Sequence, residues 1–327
     1  MFDKEKILAA IKDDLEKIEA TLRANFASYV PFINDVSQYI LFAGGKRLRP
    51  LLMVLSTRLC GCRKDEGQIY RLSVLFEYLH AATLLHDDVV DNALFRRGRK
   101  AAHTLWGNQA VILVGDFLYS RAIRIAVEEG NMAILDVISR TTTLMSEGEV
   151  LQLINCDNVE LTEQEYMEVI FRKTAALISA ACEVGAIFAE NGTKYVELMR
   201  EFGRHLGLAF QITDDLLDYL GVAQETGKEV GNDFKEGKVT LPLIVALSKA
   251  NKTDRDRLLA LIKDIEPTPE TFQEAVSLIE KYDGFTYTRR RAEEQINQAL
   301  SYLRGLPQNE TRDLLEGIAH YVLIRRH

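Results

Sequence analysis

The sequence predicts an all-α protein, a bundle of roughly ten or more helices forming one domain over residues 1–327, and three observations carry that expectation. Apolar residues recur at three- and four-residue spacing through long segments, which places them on one helical face. Only six prolines, Pro31, Pro50, Pro242, Pro267, Pro269 and Pro307, interrupt the chain. Strand-like alternation is nearly absent. No linker rich in proline, serine or glycine marks a domain boundary, and no fixed-period repeat points to a solenoid.

The chain opens with MFDKEKILAAIKDDLEKIEA, whose charges alternate on a helical period and which holds no apolar signal core. AGGKRLRP breaks the periodicity: a glycine turn, then Lys46, Arg47 and Arg49, then Pro50 as a favoured first helical residue. In QIYRLSVLFEYLHAATLLHDD, Ile69, Leu72, Phe76, Leu79 and Thr83 fit a single helical face. Later breaks fall at GRKAAHTLWGN, NCDNVELTEQE, GVAQETGKEVGNDFKEGKVTLP and IEPTPE, where Gly, Pro, Asn and Asp cluster. Between them, VELMREFGRHLGLAFQITDDLLDYL repeats the amphipathic pattern. The longest apolar stretch, TAALISAACEVGAIFAEN, is broken by Glu183 and falls short of a membrane span.

Composition narrows the function classes. A formal net charge of −8 argues against nucleic acid as a partner, and 47% hydrophobic with 27% charged residues is ordinary for a globular protein. Cys60, Cys62, Cys156 and Cys182 lack zinc or redox spacing and read as reduced thiols of a cytoplasmic protein.

The chemistry lies in LLHDDVVD, which puts Asp87, Asp88 and Asp91 within one helical turn between apolar flanks. Like charges at that spacing cost a helix about 0.2–0.5 kcal/mol per pair, so something positive should stand opposite. QITDDLLDY repeats the D-D-x-x-D spacing as Asp214, Asp215 and Asp218. In each cluster the first and last carboxylates share a face one turn apart. One such motif alone reads as an acidic, solvated helix edge. Two of them on apolar helices read as an all-oxygen site for hard divalent cations, Mg²⁺ above all, which takes one or two carboxylates and completes its octahedron with water and substrate phosphates.

Counter-charges accompany the motifs. GGKRLRP supplies Lys46 and Arg49 beside glycines, FRRGRK supplies Arg96 and Arg97, FRKTA supplies Lys173 and Thr174, and a glycine-spaced loop supplies Lys228 and Lys238. Arg47, Arg99, Lys100 and Lys235 read as solubilising surface charge.

GGKRLRP, HAATLLHDDVVDNALFRRG, GDFLYSRA, EGEVLQL, FRKTA, FQITDDLLDY and GNDFKEGKVTLPLI together resemble the trans-polyprenyl diphosphate synthases, most closely the octaprenyl type, in order along nearly the whole chain. The resemblance implies the isoprenoid synthase fold around a deep central cavity, and a homodimer. It implies that Asp87, Asp88, Asp91, Asp214, Asp215 and Asp218 hold an allylic diphosphate through two or three Mg²⁺ ions, with Asp87, Asp91 and Asp214 as the closest ligands, then Asp88 and Asp218. Lys46, Arg49, His80 and Arg97 match an isopentenyl diphosphate pocket. Arg96, Lys173, Thr174, Gln211, Lys228 and Lys238 match positions that grip the allylic diphosphate, Lys173 with a catalytic part. His80 also reads as a core histidine, but it lies two turns before Asp87 on the same face. His103, Asp116, Glu147 and Glu149 fall in motif segments without an assigned role. Ala81, where the family often has Thr, and the less acidic DNALF loop are small departures.

Ala82 and Thr83 lie a little more than one turn before Asp87. The resemblance makes this the cavity floor, where a bulky aromatic stops chain growth and the small Ala82 implies a long product: octaprenyl, for a respiratory quinone side chain and passed on to membrane enzymes, with hexa-, hepta- or decaprenyl and a shorter-chain synthase as the alternatives. The final length would be set deeper in the cavity, near Tyr119 or Ile123. A class I terpene cyclase would lack the second DDxxD, a histidine–aspartate phosphohydrolase would need more metal histidines than six His residues supply, and a non-catalytic partner subunit would have lost the aspartates.

Overall fold

The computed structural model describes residues 4–62, 64–189, 193–221, 231–263 and 268–324. They are almost entirely helical: α1 (Lys4–Asn25), α2 (Pro31–Leu41), α3 (Leu48–Leu59), α4 (Glu66–Ser73), α5 (Leu75–Val90), α6 (Ala102–Trp106), α7 (Asn108–Glu128), α8 (Met132–Ile154), α9 (Glu163–Ile170), α10 (Ala176–Phe188), α11 (Val196–Leu220), α12 (Asn232–Lys235), α13 (Leu241–Lys249), α14 (Lys252–Ile262), α15 (Pro269–Lys281), α16 (Gly284–Leu303) and α17 (Glu310–Ile324). A π-helical turn, Phe171–Ala175, joins α9 to α10. Among the described residues no helix is long and apolar enough to cross a membrane.

The chain falls into two compact units, each made of three segments. The first holds Met1–Arg140, Leu177–Gly203 and Tyr302–Ile318; the second holds Thr141–Ala176, Arg204–Ser301 and Ala319–His327. In the first unit α5 is the central element. It buries Leu75, Phe76, Tyr78, Leu79, Ala82 and Leu85, packs along α7, and ties to α1 where the Tyr78 hydroxyl donates to the Leu22 carbonyl at 3.1 Å. The second unit closes over an apolar core that includes Tyr166, Ile212, Leu216, Tyr219, Phe234 and Leu241. Capping is explicit there: Thr162 and Glu165 form a reciprocal capping box at the start of α9.

Three local expectations are corrected, and one hairpin is added. The segment read as one amphipathic helix, Ile69 to Thr83, is two helices that meet at Val74. Apolar spacing runs through this joint unbroken, whereas the Ser73 hydroxyl bonds back to the Tyr70 carbonyl at 2.8 Å and competes with the regular ladder. Pro50 is the third residue of α3, not the first, because Arg47 turns into the left-handed region (φ 49°) and the helix starts at Leu48. FRRGRK is a hairpin, β1 (Phe95–Arg96) against β2 (Arg99–Lys100), whose two turn residues Arg97 and Gly98 both have positive φ.

The last correction matters most for stability. Arg47 is no surface charge: it is 7% exposed and donates to Glu77 at 2.7 Å, to Glu19 at 2.9 Å and to the Leu41 carbonyl at 2.5 Å. Arg99, Lys100 and Lys235 are exposed, as expected. The thiols are free, and burial pushes Cys60 and Cys182 up to about 12.

Removing the Arg47 guanidinium strands the buried Glu77 carboxylate. Arg47→Met should therefore cost roughly 3–5 kcal/mol in denaturant unfolding, and Arg47→Met combined with Glu77→Met should recover much of that loss. A single-variant cost no larger than that of an exposed pair would show that the cluster is not buried as described.

Candidate active site

In the first unit the candidate residues come from three places. The last turns of α5 bring His80, Ala82, Thr83, Asp87 and Asp88, and Asp91 caps the helix, its backbone N–H donating to the Asp87 carbonyl at 2.8 Å. The hairpin brings Arg96 and Arg97, and the start of α3 brings Lys46 and Arg49. The Arg97 guanidinium donates to the Gly44 carbonyl, joining the hairpin to the glycine turn. Ala82 is fully buried, and the neighbouring Thr83 hydroxyl bonds back to the His80 carbonyl at 2.9 Å.

The three aspartates of this motif are not equivalent. Asp87 and Asp91 are partly exposed, whereas Asp88 has no exposed surface. Asp88 Oδ1 is held by Arg96, from Nη2 at 2.5 Å and from Nε at 2.7 Å, while its Oδ2 is buried with no hydrogen-bond partner. The positive group that the sequence demanded opposite Asp88 is thus Arg96. Asp116 enters the neighbourhood through His86, whose Nε2 lies 3.5 Å from Asp116 Oδ1 and 3.1 Å from the Ile112 carbonyl.

His80 stands among guanidiniums. Burial first, then Arg49, Arg97, Arg96 and Arg47, hold its pKa well below the usual imidazole range, so it is neutral. A neutral imidazole keeps one donor and one acceptor nitrogen, which suits a site that already carries several positive charges.

In the second unit the same division recurs. Asp214 and Asp218 of α11 are partly exposed, and the middle residue Asp215 is 3% exposed. Asp215 Oδ2 accepts from the Tyr166 hydroxyl at 2.6 Å and Oδ1 from the Gln211 side-chain amide at 2.7 Å. Burial and the nearby Asp233 carboxylate nevertheless push the Asp215 carboxyl up to about 8. Asp218 Oδ2 accepts the Asp233 N–H at 3.0 Å, which fixes the first turn of α12 to the motif.

Lys173 and Thr174 sit on the π-helical turn, a feature often found at functional sites because its extra residue re-aims side chains. Two glycines admit this turn: a Cβ on Gly148 of α8 would lie 2.6 Å from the Lys173 nitrogen, and one on Gly207 of α11 would lie 2.6 Å from the Ala175 Cα. Lys173 Nζ pairs with Glu149 at 2.7 Å, and Arg172 pairs with Glu147 and Glu168. The two glutamates of the EGEVLQL segment, left unassigned by the sequence, are the partners of the basic turn. Thr174 donates to Gln211 Oε1 at 2.8 Å, and Lys238 pairs with Glu236 at 2.5 Å. A pocket of about 130 Å³ in this unit is lined by Lys173, Thr174, Gln211, Asp215, Tyr166 and Lys238, among others. Tyr166 went unnoticed in the sequence, where it reads as one more apolar position of α9. Lys228 lies outside the described residues.

The residues fit Mg²⁺ in one particular way. Among the described residues no three acidic, histidine or cysteine groups form a ready-made cage. Each motif instead presents partly exposed carboxylates one turn apart, the arrangement of a cation that completes its shell with phosphate oxygens.

A family profile described as polyprenyl synthetase matches residues 30–279. The chain belongs to the polyprenyl synthetase family. It is an enzyme of the trans-prenyltransferase class, and its fold is the isoprenoid synthase fold. The family's general metal is Mg²⁺. It is similar to octaprenyl diphosphate synthase of Escherichia coli, 38% identical over 98% of both chains. Among solved structures it is similar to a polyprenyl synthase from Caulobacter crescentus complexed with calcium and isoprenyl diphosphate, with TM-score 0.93, 37% identity, and coverage of 100% of this chain and 99% of that one. A decaprenyl diphosphate synthase from Rhodobacter capsulatus follows with TM-score 0.91, 37% identity and 99% coverage of each.

The state of His80 in this polyprenyl synthetase gives a pH test. Its folded pKa is depressed, so between that value and about 6.5 the unfolded chain binds more protons, and stability rises with pH. The contribution is complete above about pH 6.5 and is lost as pH falls below it. Calorimetry without substrate should show the melting temperature of the wild type dropping more between about pH 7.5 and 5.5 than that of His80→Gln. Equal drops would place His80 outside the cationic pocket.

Proposed function

We propose that the chain condenses isopentenyl diphosphate head-to-tail, all-trans, onto an allylic diphosphate such as farnesyl diphosphate, and extends it to a long-chain polyprenyl diphosphate of octaprenyl length. One observation carries this reading: two DDxxD motifs, each with its outer carboxylates partly exposed, in a chain similar from end to end to an octaprenyl diphosphate synthase.

In this reading Asp87, Asp91 and Asp214 are the closest ligands for two or three Mg²⁺ ions, with Asp88 and Asp218 supporting. Bound there, Mg²⁺ supplies Lewis-acid stabilisation of the diphosphate that leaves. Lys173, Thr174, Gln211, Lys228, Lys238 and Arg96 grip the allylic diphosphate and meet its growing negative charge. Lys46, Arg49, Arg97 and the neutral His80 hold isopentenyl diphosphate so that its double bond reaches the allylic carbon. The departing diphosphate is a suitable proton acceptor, since none of these side chains is a strong base. Apolar walls exclude water from the allylic cation. The partly buried Lys173–Glu149 pair supports the assignment, because a lysine already held by a carboxylate is oriented before the substrate arrives.

A homodimer belongs to the same proposal. Its support is apolar surface on α6 and α7, where Leu105, Ile112 and Leu113 are exposed. The consumer of such a product is a membrane enzyme of quinone assembly, given the solubility of so long a chain. A cytoplasmic location belongs to this reading too. A second reading, a shorter product, is favoured by one similarity: a short chain isoprenyl diphosphate synthase of Methanothermobacter thermautotrophicus is 33% identical over 98% of this chain.

Mixing protein, Mg²⁺, isopentenyl diphosphate and farnesyl diphosphate should yield long prenyl products, from a species that light scattering sizes as a dimer. Asp87→Ala and Asp214→Ala should each lower turnover by several orders of magnitude with an unchanged circular dichroism spectrum. Near-wild-type rates in both variants would refute the metal assignment.

Product length rests on Ala82. Ala82→Phe should shift products toward farnesyl or geranylgeranyl length without abolishing condensation. Chromatography of the dephosphorylated alcohols reads the outcome: a wild type that stops at geranylgeranyl supports the second reading, and an unchanged length in the variant removes Ala82 from the floor.

A further inference from the structure

The second unit holds a continuous chain of hydrogen bonds that none of the motifs accounts for. It starts at Tyr166 of α9, a residue 3% exposed whose hydroxyl donates to Asp215 Oδ2 at 2.6 Å. Asp215 Oδ1 takes Nε2 of Gln211 at 2.7 Å, four residues back on α11. Gln211 Oε1 in turn accepts from the Thr174 hydroxyl on the π-helical turn at 2.8 Å. All four side chains line the same pocket as Lys173 and Lys238.

The polarity of this chain follows from the groups themselves. Tyr166 and Gln211 both donate to Asp215, and donated hydrogen bonds favour its charged form against the burial that raises it, so the Gln211 amide presents its nitrogen to Asp215 and its oxygen to Thr174. That orientation leaves the second N–H of Gln211 Nε2 uncommitted in the chain, and it consumes the Thr174 proton as a brace. Flipping the amide would set its oxygen against the Asp215 carboxylate, and this contact decides the orientation, because the Thr174 hydroxyl can donate or accept and suits either end of the amide. Tyr166 anchors the arrangement, because its hydroxyl fixes the one carboxylate that dictates which way the amide points.

We propose that Tyr166 is a positioning residue for the allylic diphosphate: acting through Asp215, it fixes the Gln211 amide so that a nitrogen and not an oxygen faces the diphosphate oxygens. The inference rests on the function proposed above for what fills the pocket. It also assigns Asp215 a duty distinct from that of Asp214 and Asp218. With an oxygen committed to Tyr166 and the other to Gln211, Asp215 orients a ligand-binding side chain within its own unit.

Tyr166→Phe removes one hydroxyl and keeps the ring in its buried slot. Asp215 then loses the donor at Oδ2, and the amide loses its fixed reference. The loss expected is that of one hydrogen bond to a charged group, about tenfold or more in affinity for a diphosphate. Two measurements read it. Titration calorimetry with inorganic pyrophosphate and MgCl₂ should show that weakening in the full chain without any turnover. Steady-state kinetics should show the KM for farnesyl diphosphate raised while the KM for isopentenyl diphosphate stays within about twofold. Because the effect passes through Gln211, adding Tyr166→Phe to Gln211→Met should cost little beyond Gln211→Met alone.

A merely structural Tyr166 would lower the melting temperature and leave both affinities in proportion, and that result overturns the proposal. So does full additivity with Gln211→Met. Should Tyr166→Phe melt below the assay temperature, Thr174→Val cuts the far end of the same chain and must show the same non-additivity with Gln211→Met. Pyrophosphate binding that depends on Tyr166, in a chain that makes no prenyl product, would sink the proposed function and sustain this inference. Condensation with Tyr166-independent pyrophosphate binding would do the reverse.

Discussion

The arrangement of both acidic motifs depends on one constraint: a carboxylate taken out of water must find a donor or a cation in the protein. Each D-D-x-x-D segment buries its middle aspartate and leaves the outer two partly exposed. The buried Asp88 is met by the Arg96 guanidinium, and the buried Asp215 by the Tyr166 hydroxyl and the Gln211 amide. Burial without such partners would cost several kcal/mol per ion. These partners therefore anchor elements outside the motif helices: the hairpin that carries Arg96 and Arg97 in one unit, and α9 in the other. Holding the motif and holding the surrounding basic residues are the same act.

The same economy of contacts explains the π-helical turn. An extra residue in a helix is disfavoured unless packing demands it. Here α8 and α11 each offer a glycine where any side chain would collide with the backbone of Lys173 or Ala175. The turn is pressed between two backbones, and Lys173 and Thr174 inherit that rigidity. Their charges are balanced locally, Lys173 by Glu149 and Arg172 by Glu147 and Glu168. A basic segment prepared for an anion is thus kept soluble and oriented by its own carboxylates, an arrangement that suits fixed rather than mobile donors.

The fold was largely legible because helices advertise themselves over many residues. Periodic apolar spacing, scarce prolines and clustered turn residues marked most helices and most breaks. Features spanning one to three residues escaped. The joint at Val74 has no periodic signature, since the apolar face continues across it. The hairpin at Phe95–Lys100 has strands too short to alternate, and its turn places an arginine, not the usual asparagine or aspartate, in a left-handed conformation. Arg47 misled because charge predicts exposure only until partners are counted, and Glu19 and Glu77 lie 28 and 30 residues away in sequence.

The sequence by itself determined the fold class, the family and the positions of the acidic and basic motifs, because each is written in local spacing or in residue types that few other chemistries need. Tertiary structure alone decided which member of each motif serves the protein and which faces outward. That choice depends on which side chain burial overtakes, and burial is set by elements distant in sequence. Tyr166 shows the limit most clearly. In the sequence it is one aromatic position on a short helix, and only its 2.6 Å approach to Asp215, 49 residues on, makes it part of the site.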